Sequence, residues 1–218
     1  MGKKMKIAFF NFTQNTVQRG AETYVRELSE RLKKDFNVTI FSDKNKLTGR
    51  IPLIWRLYID PQGIQILLFT LDHIKEVLRE KFDFVIPVNG GWQVVLLRFI
   101  TWLYGGKLIV SGQSGKGWDD RNNLLIFPDV FVSTSSTLKK WAKNVNKFVR
   151  VEYIPNGVDL NKFKPDGPKI NIGLEKPVIL CVGALTGEKR IELAIKAVSK
   201  LTKGSLMVVG IGPLKAVP

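Results

Sequence analysis

Residues 6–32, KIAFFNFTQNTVQRGAETYVRELSERL, carry the reading that decides the fold. Ile7 to Phe12 is a short, β-prone apolar run. Ala21, Tyr24, Val25, Leu28 and Leu32 then recur at i, i+3, i+4, i+7 and i+11, the period of an amphipathic helix. Working outward, the same alternation repeats. Val38 to Phe41 reads as a strand, Leu71, Ile74, Val77 and Leu78 predict a helix starting near Thr70, and Phe84 to Val88 is a third strand. A helix over Trp92 to Tyr104, strands at Leu108 to Val110 and Val130 to Val132, a helix from about Ser136 to Asn144 capped by Ser135 or Ser136, and a strand at Val151 to Ile154 follow. Short apolar strands alternating with helices build βαβ units, hence a parallel sheet covered on both faces. The expectation is a doubly wound α/β domain over residues 1–154, with the Ile7 to Phe12 strand central.

After Ile154 the texture changes. Pro155, Asn156, Gly157, Pro165, Gly167, Pro168, Gly173 and Pro177 punctuate a stretch with little hydrophobic periodicity, which predicts a linker over residues 155–177. A turn is expected at Asn156-Gly157, with Phe163 packed as an anchor. Residues 178–218 then offer a strand at Val178 to Val182, a helix at Ile191 to Leu201 and a strand at Leu206 to Val209. One βαβ unit cannot cover both faces of a parallel sheet, so this piece is expected to be the truncated start of a second domain. A length of 218 residues, at 24.6 kDa, suits a domain plus a piece.

Composition narrows the chemistry. Lys plus Arg outnumber Asp plus Glu by 34 to 19, a net charge of +15 that favours anionic partners. The basic residues are scattered through helices and loops rather than clustered with exposed aromatics, so no nucleic acid is expected. One cysteine, Cys181, and one histidine, His73, leave no material for an internal disulfide, a multi-thiolate metal site or a Ser-His triad, and no metal or cofactor is expected. His73 falls at helical spacing beside Leu71 and Ile74 and reads as a boundary residue. The apolar stretch after Lys6 is too short for a signal peptide. The long uncharged run from Phe84 contains Pro87, Asn89, Gly90, Gly91 and Gln93, poor material for a spanning helix. A soluble, cytoplasmic protein is expected.

Two loops suggest ligand chemistry. Ligands of open α/β sheets sit at the carboxyl ends of strands. There Gln18-Arg19-Gly20-Ala21-Glu22 opens the first helix with a glycine that lets backbone amides approach an anion, or that merely eases the chain into the helix. Farther on, Val182-Gly183-Ala184-Leu185-Thr186-Gly187-Glu188-Lys189-Arg190 places two cations at a helix start, where the helix dipole disfavours them. A bound diphosphate resolves that conflict; two solvated side chains are the commoner reading of an isolated Lys-Arg pair. No G-x-G-x-x-G is present, because Lys215 stands where Gly210-Ile211-Gly212 would need its third glycine. A phosphate- or nucleotide-binding module of another class, a nicotinamide oxidoreductase or a nucleic-acid binder, remains the alternative. Trp92 to Tyr104 is aromatic-rich and suits a peripheral membrane contact, although a sheet-covering helix is the favoured reading. Asp119 and Asp120, beside Lys116, Gly117 and Trp118, read as part of a polar loop.

The run Tyr153-Ile154-Pro155-Asn156-Gly157-Val158-Asp159-Leu160-Asn161-Lys162-Phe163-Lys164-Pro165 resembles the interdomain signature of family 4 glycosyltransferases, retaining enzymes of the GT-B fold. Gly20-Ala21-Glu22 is similar to the family's acceptor-domain loop, Phe131 to Ser135 to its strand before the crossover, and Val182-Gly183 to Arg190 with Val209 to Pro213 to the opening of its donor domain. The resemblance implies two Rossmann-like halves, the second incomplete here, a nucleotide-sugar donor and a carbohydrate or lipid-linked acceptor. It implies that Gly183, Lys189 and Arg190 hold the donor phosphates and that Arg19 and Gly20 form the acceptor-side loop. The chain departs from the family pattern at Arg19, at Ala184, and at Ser111-Gly112-Gln113, where a histidine is usual. The family's two glutamates spaced eight apart are expected beyond residue 218, so the catalytic residues are unassigned, and this stretch alone is expected to be inactive.

Overall fold

The computed structural model describes residues 4–16, 19–43, 61–113, 115–168 and 170–216, which leaves Gln18 outside. The chain divides into two compact units, residues 1–158 and 159–218. In the first, β1 (Lys6–Phe10), β2 (Asn37–Phe41), β3 (Phe84–Pro87), β4 (Lys107–Gly112), β5 (Val130–Ser133) and β6 (Arg150–Tyr153) form one sheet in the order β2-β1-β3-β4-β5-β6. Every pairing is parallel. β1 is interior, one strand in from the edge rather than at the centre.

The helices are α1 (Gly20–Leu32), α2 (Pro61–Glu80), α3 (Trp92–Tyr104), α4 (Trp118–Leu125) and α5 (Ser136–Val145). Alternation along β1 sorts its side chains between two cores. Ala8 and Phe10 join Phe69 and Val77 of α2, Leu97 of α3, Leu124 of α4 and Leu138 of α5, whereas Ile7 and Phe9 meet Val25 and Leu28 of α1. The chain runs from β1 to β2 in one direction across the sheet and afterwards in the other, and right-handed crossovers then put α1 on one face and the other described helices of this unit on the opposite one. Phe9, Phe10 and Phe131 are fully buried, each worth about 1.5–3 kcal/mol of transfer free energy. Ser135 caps α5, its Oγ accepting from the Leu138 N–H at 3.1 Å, and α3 stops at Gly105, whose φ of 81° is left-handed.

Three expectations need correction. α2 begins at Pro61, nine residues before Thr70, because proline fits the first helical turn and breaks nothing there. Asp119 and Asp120 lie in the first turn of α4, not in a polar loop, and Asp120 is only 2% exposed. Asn156-Gly157 makes no turn and Phe163 is 63% exposed rather than packed. The turn falls at residues 160–163 instead, where Asp159 Oδ1 accepts from the Asn161 N–H at 2.9 Å.

The second unit pairs β7 (Val178–Val182) in parallel with β8 (Ser205–Val209), joined through α6 (Ile191–Val198). Cys181 is a free thiol on β7.

Candidate functional site

Because all six strands of the first unit run the same way, their carboxyl ends share one edge, and the loops after β1, β3, β4 and β6 gather there. The loop after β1 closes on Glu22, which is 6% exposed. Its Oε1 accepts from the Thr13 hydroxyl at 2.5 Å and its Oε2 from the Arg19 N–H at 3.1 Å, while Gln14 Nε2 donates to the Glu22 carbonyl at 3.0 Å. A carboxylate of the chain itself therefore satisfies the start of α1, an arrangement worth about 0.3–1 kcal/mol. Arg19 and Gly20 stand exposed beside it, and a Cβ built on Gly20 meets nothing within 4 Å.

The loop after β3 is laced to the first. Asn89 Oδ1 accepts from the Phe12 N–H at 2.9 Å, and the Asn89 N–H donates to Oε1 of fully buried Gln93 at 3.1 Å. The exposed pair Gly90-Gly91 follows, and Gly91, with φ 69°, opens α3 without a side-chain cap. This pair was legible as glycines at a strand's carboxyl end, yet the sequence reading used it only against a spanning helix. After β4 and β6, the side-chain amides of Gln113 and Asn156 pair reciprocally at 3.3 and 3.2 Å. The signature residue Asn156 is thus tied to Gln113, within the Ser111-Gly112-Gln113 stretch where the family resemblance implied a histidine.

In the second unit, Gly183 follows β7 with open space where a Cβ would stand. Lys189 ends a 3-10 turn (Gly187–Lys189), and Arg190, left-handed at φ 47°, leads into α6. Both cations are exposed. The structure brings Gly183, Lys189 and Arg190 onto one loop and Arg19 and Gly20 onto another. Gly210 and Gly212 have a packing reason. A Cβ on Gly210 would overlap the Gly183 carbonyl and one on Gly212 the Leu185 carbonyl, because Gly183 N–H donates to Val209 O and Leu185 N–H to Ile211 O, each at 3.0 Å.

Two features away from these loops bear on charge and surface. A basic hollow of about 470 Å³ runs along α5 and the edge strand β6, lined by Lys139, Lys143, Lys147 and Arg150. The Arg150 hydrogen bond, with further pull from the lysines, holds Glu152 below the usual carboxylate range. On α3, Arg98 turns inward to a salt bridge with Asp129, and its guanidinium lies 4.7 Å from the Trp102 ring. Burial pushes Asp129 up, but the Leu108 N–H, Lys107 and Arg98 outweigh it and hold the carboxyl below its ordinary value. The outer side of α3 exposes Val95, Phe99, Trp102 and Leu103. Among the described residues no helix is long and apolar enough to cross a membrane, and no group of three His, Cys, Asp or Glu is placed to hold a metal ion.

Comparison with known proteins places this architecture. The S. aureus MnaA-UDP co-structure superposes with a TM-score of 0.59 at 13% identity, covering 94% of this chain and 62% of that one. A putative UDP-N-acetylglucosamine 2-epimerase from Listeria monocytogenes gives 0.53 at 12% identity, with 94% and 62% covered. Acinetobacter baumannii MurG gives 0.52 at 13% identity, with 94% and 58% covered. At such identities the likeness is one of fold, that of GT-B proteins, and the chain spans about three-fifths of their length. No curated protein matches. The profile of Glycosyltransferase Family 4 matches residues 18–162, from the loop before α1 through the asparagine-glycine signature; the chain belongs to glycosyltransferase family 4.

Proposed function

We propose that this chain carries the acceptor side and the first part of the donor side of a retaining glycosyltransferase that uses a nucleotide-sugar donor. The observation that carries the reading is the family match over residues 18–162 on a doubly wound parallel sheet. Gly183, Lys189 and Arg190 receive the donor diphosphate, and the UDP of the MnaA co-structure supports a nucleotide ligand for this fold. As the bond from the sugar's anomeric carbon to the diphosphate breaks and one to the acceptor oxygen forms, negative charge grows on the leaving group. Preorganised cations and amides stabilise that charge. The acceptor side is the edge around Arg19 and Gly20. The apolar outer side of α3, with Phe99, Trp102 and Leu103, supports a peripheral contact with the cytoplasmic membrane face, where a lipid-linked acceptor would be met.

The described second unit is a two-stranded sheet with one helix, too little to enclose a nucleotide. The chain by itself is therefore expected to bind UDP weakly and to transfer no sugar. A titration of the ¹⁵N-labelled chain with UDP tests the donor side. Saturable shifts at Gly183, Lys189 and Arg190 are expected; shifts confined to the first unit, or none, would count against it.

A further inference from the structure

We propose that the open edge of β6, with the basic hollow beside it, docks an extended acidic segment of a partner protein, which adds to the sheet as one more strand. β6 ends the sheet and pairs with β5 on one side only. The Ile154 N–H donates to the Ser133 carbonyl at 3.0 Å and the Ser133 hydroxyl to the Glu152 carbonyl at 2.9 Å, so residues 152 and 154 turn their backbone groups toward β5. Successive residues of a strand alternate in this respect. The N–H and C=O groups of Val151 and Tyr153 therefore turn outward, and no described residue pairs with them. Such an edge is a template for a further strand, and main-chain hydrogen bonds along it supply affinity.

Charge selects the strand. Val149 and Val151 border the hollow of about 470 Å³ although their side chains are buried, so their backbone reaches its wall, and Lys139, Lys143, Lys147 and Arg150 surround it. Residues 130–158 hold five basic residues and one acid, Glu152, which the Arg150 guanidinium already engages at 2.8 Å. Lys139 and Lys143 stand one turn apart on α5, where like charges repel, and among the described residues neither they nor Lys147 have a salt bridge. Carboxylates on alternate residues of an incoming strand relieve that repulsion. Phe148, 89% exposed between Lys147 and Val149, adds an apolar contact at the amino end of β6. The same charge turns away a second copy of this chain, which carries +15 and whose only adjacent acids are Asp119 and Asp120. A nucleic-acid backbone brings phosphate acceptors and leaves the outward carbonyls of Val151 and Tyr153 unpaired, whereas a peptide brings donors and acceptors in turn. A flat anionic bilayer has no strand to offer the edge.

The test titrates the ¹⁵N-labelled chain with an end-blocked peptide of alternating glutamate and valine. Saturable shifts are expected at the Val151 and Tyr153 amides, with hydrogen exchange at both slowed about tenfold or more in the complex. Two further peptides separate charge from strand pairing: one of alternating lysine and valine, and the acidic peptide with a fully N-methylated backbone, which keeps the charge and loses every ladder N–H. Each is expected to bind about tenfold more weakly or worse. The same loss is expected for the acidic peptide on the double variant Lys143→Glu, Lys147→Glu, whose changes are exposed and leave the fold intact. The proposal is overturned if the acidic peptide neither shifts nor protects the Val151 and Tyr153 amides, or if the N-methylated peptide or the double variant matches the parent pair. Protection of these amides by oligothymidylate or phosphatidylserine vesicles but not by the peptide also overturns it, as do shifts on β6 that grow with the concentration of the chain alone, the mark of a second copy.

Discussion

Every buried hydrophobic side chain among the described residues lies between Ile7 and Val151, in the first unit. The second unit's helix α6 buries none of its residues, and β7 leaves Val178, Leu180 and Val182 exposed. The first unit is held by side-chain packing on both faces of a six-stranded sheet. The second is held by a two-stranded ladder and by glycines that let the loops after β7 and β8 touch through their backbones. The difference separates two ways of making a site. A packed unit fixes side chains such as Glu22 and Gln93 in place; a backbone-held unit presents amides and exposed cations.

The first unit loses most when the Asp129 carboxylate is removed. Asp129→Ala leaves Arg98, 10% exposed in its side chain, without its partner, and is expected to cost the first unit about 3–5 kcal/mol in denaturant unfolding while sparing the β7–β8 ladder. An equal loss in both units would mean that they do not fold by separate means. Gly210→Ala inverts the test. Its Cβ must push the Gly183 carbonyl aside, and about 1–3 kcal/mol of local stability should vanish from the second unit, read as faster amide exchange in β7 and β8 but not in β1.

Acid sharpens the same contrast. Asp129 is held below its ordinary value in the folded state, so it contributes stability above about pH 4, and that contribution fades as pH falls through the folded value. The first unit's unfolding midpoint should therefore drop as pH falls below about 4, and Asp129→Asn should flatten the drop. A slope equal to the parent's in that variant would remove Asp129 as its source. The smallest effect on stability belongs to Gly20→Val. The site has room for the side chain, and unfolding should move by no more than about 0.5 kcal/mol. If the acceptor approaches Gly20, turnover in the protein from the complete reading frame still falls strongly; unchanged turnover would take Gly20 off the acceptor side.

Much of this was legible in the sequence. Apolar strands of four to six residues between helices with clear 3.6 periodicity left little freedom in fold class, and α3 and β7 fall on the expected bounds. α4 escaped because WDDRNNLL has eight residues and no apolar stripe, and its only strong signal, two aspartates in a first turn, also suits a loop. The start of α2 escaped because Pro61 and Gly63 read as breakers where the helix merely begins. In the candidate site, Arg19-x-x-Glu22 concealed a cap that occupies the helix start, a fact carried by Thr13 and the Arg19 N–H rather than by the glycine. Gly210 and Gly212 resembled a phosphate loop for a reason only tertiary contact reveals, the close passage of the Gly183 and Leu185 carbonyls.

We propose that the sugar is transferred with retained configuration while the leaving diphosphate is held at the Gly183 to Arg190 loop. The most direct measurement supplies the protein from its complete reading frame with a panel of nucleotide sugars and neutral sugar acceptors, and follows the anomeric signals of the product by NMR, for the parent and for Lys189→Ala. The account predicts a product with the donor's anomeric configuration and a loss of about 10²–10³ in turnover in the variant. An inverted anomer, or a Lys189→Ala enzyme as fast as the parent, would contradict it.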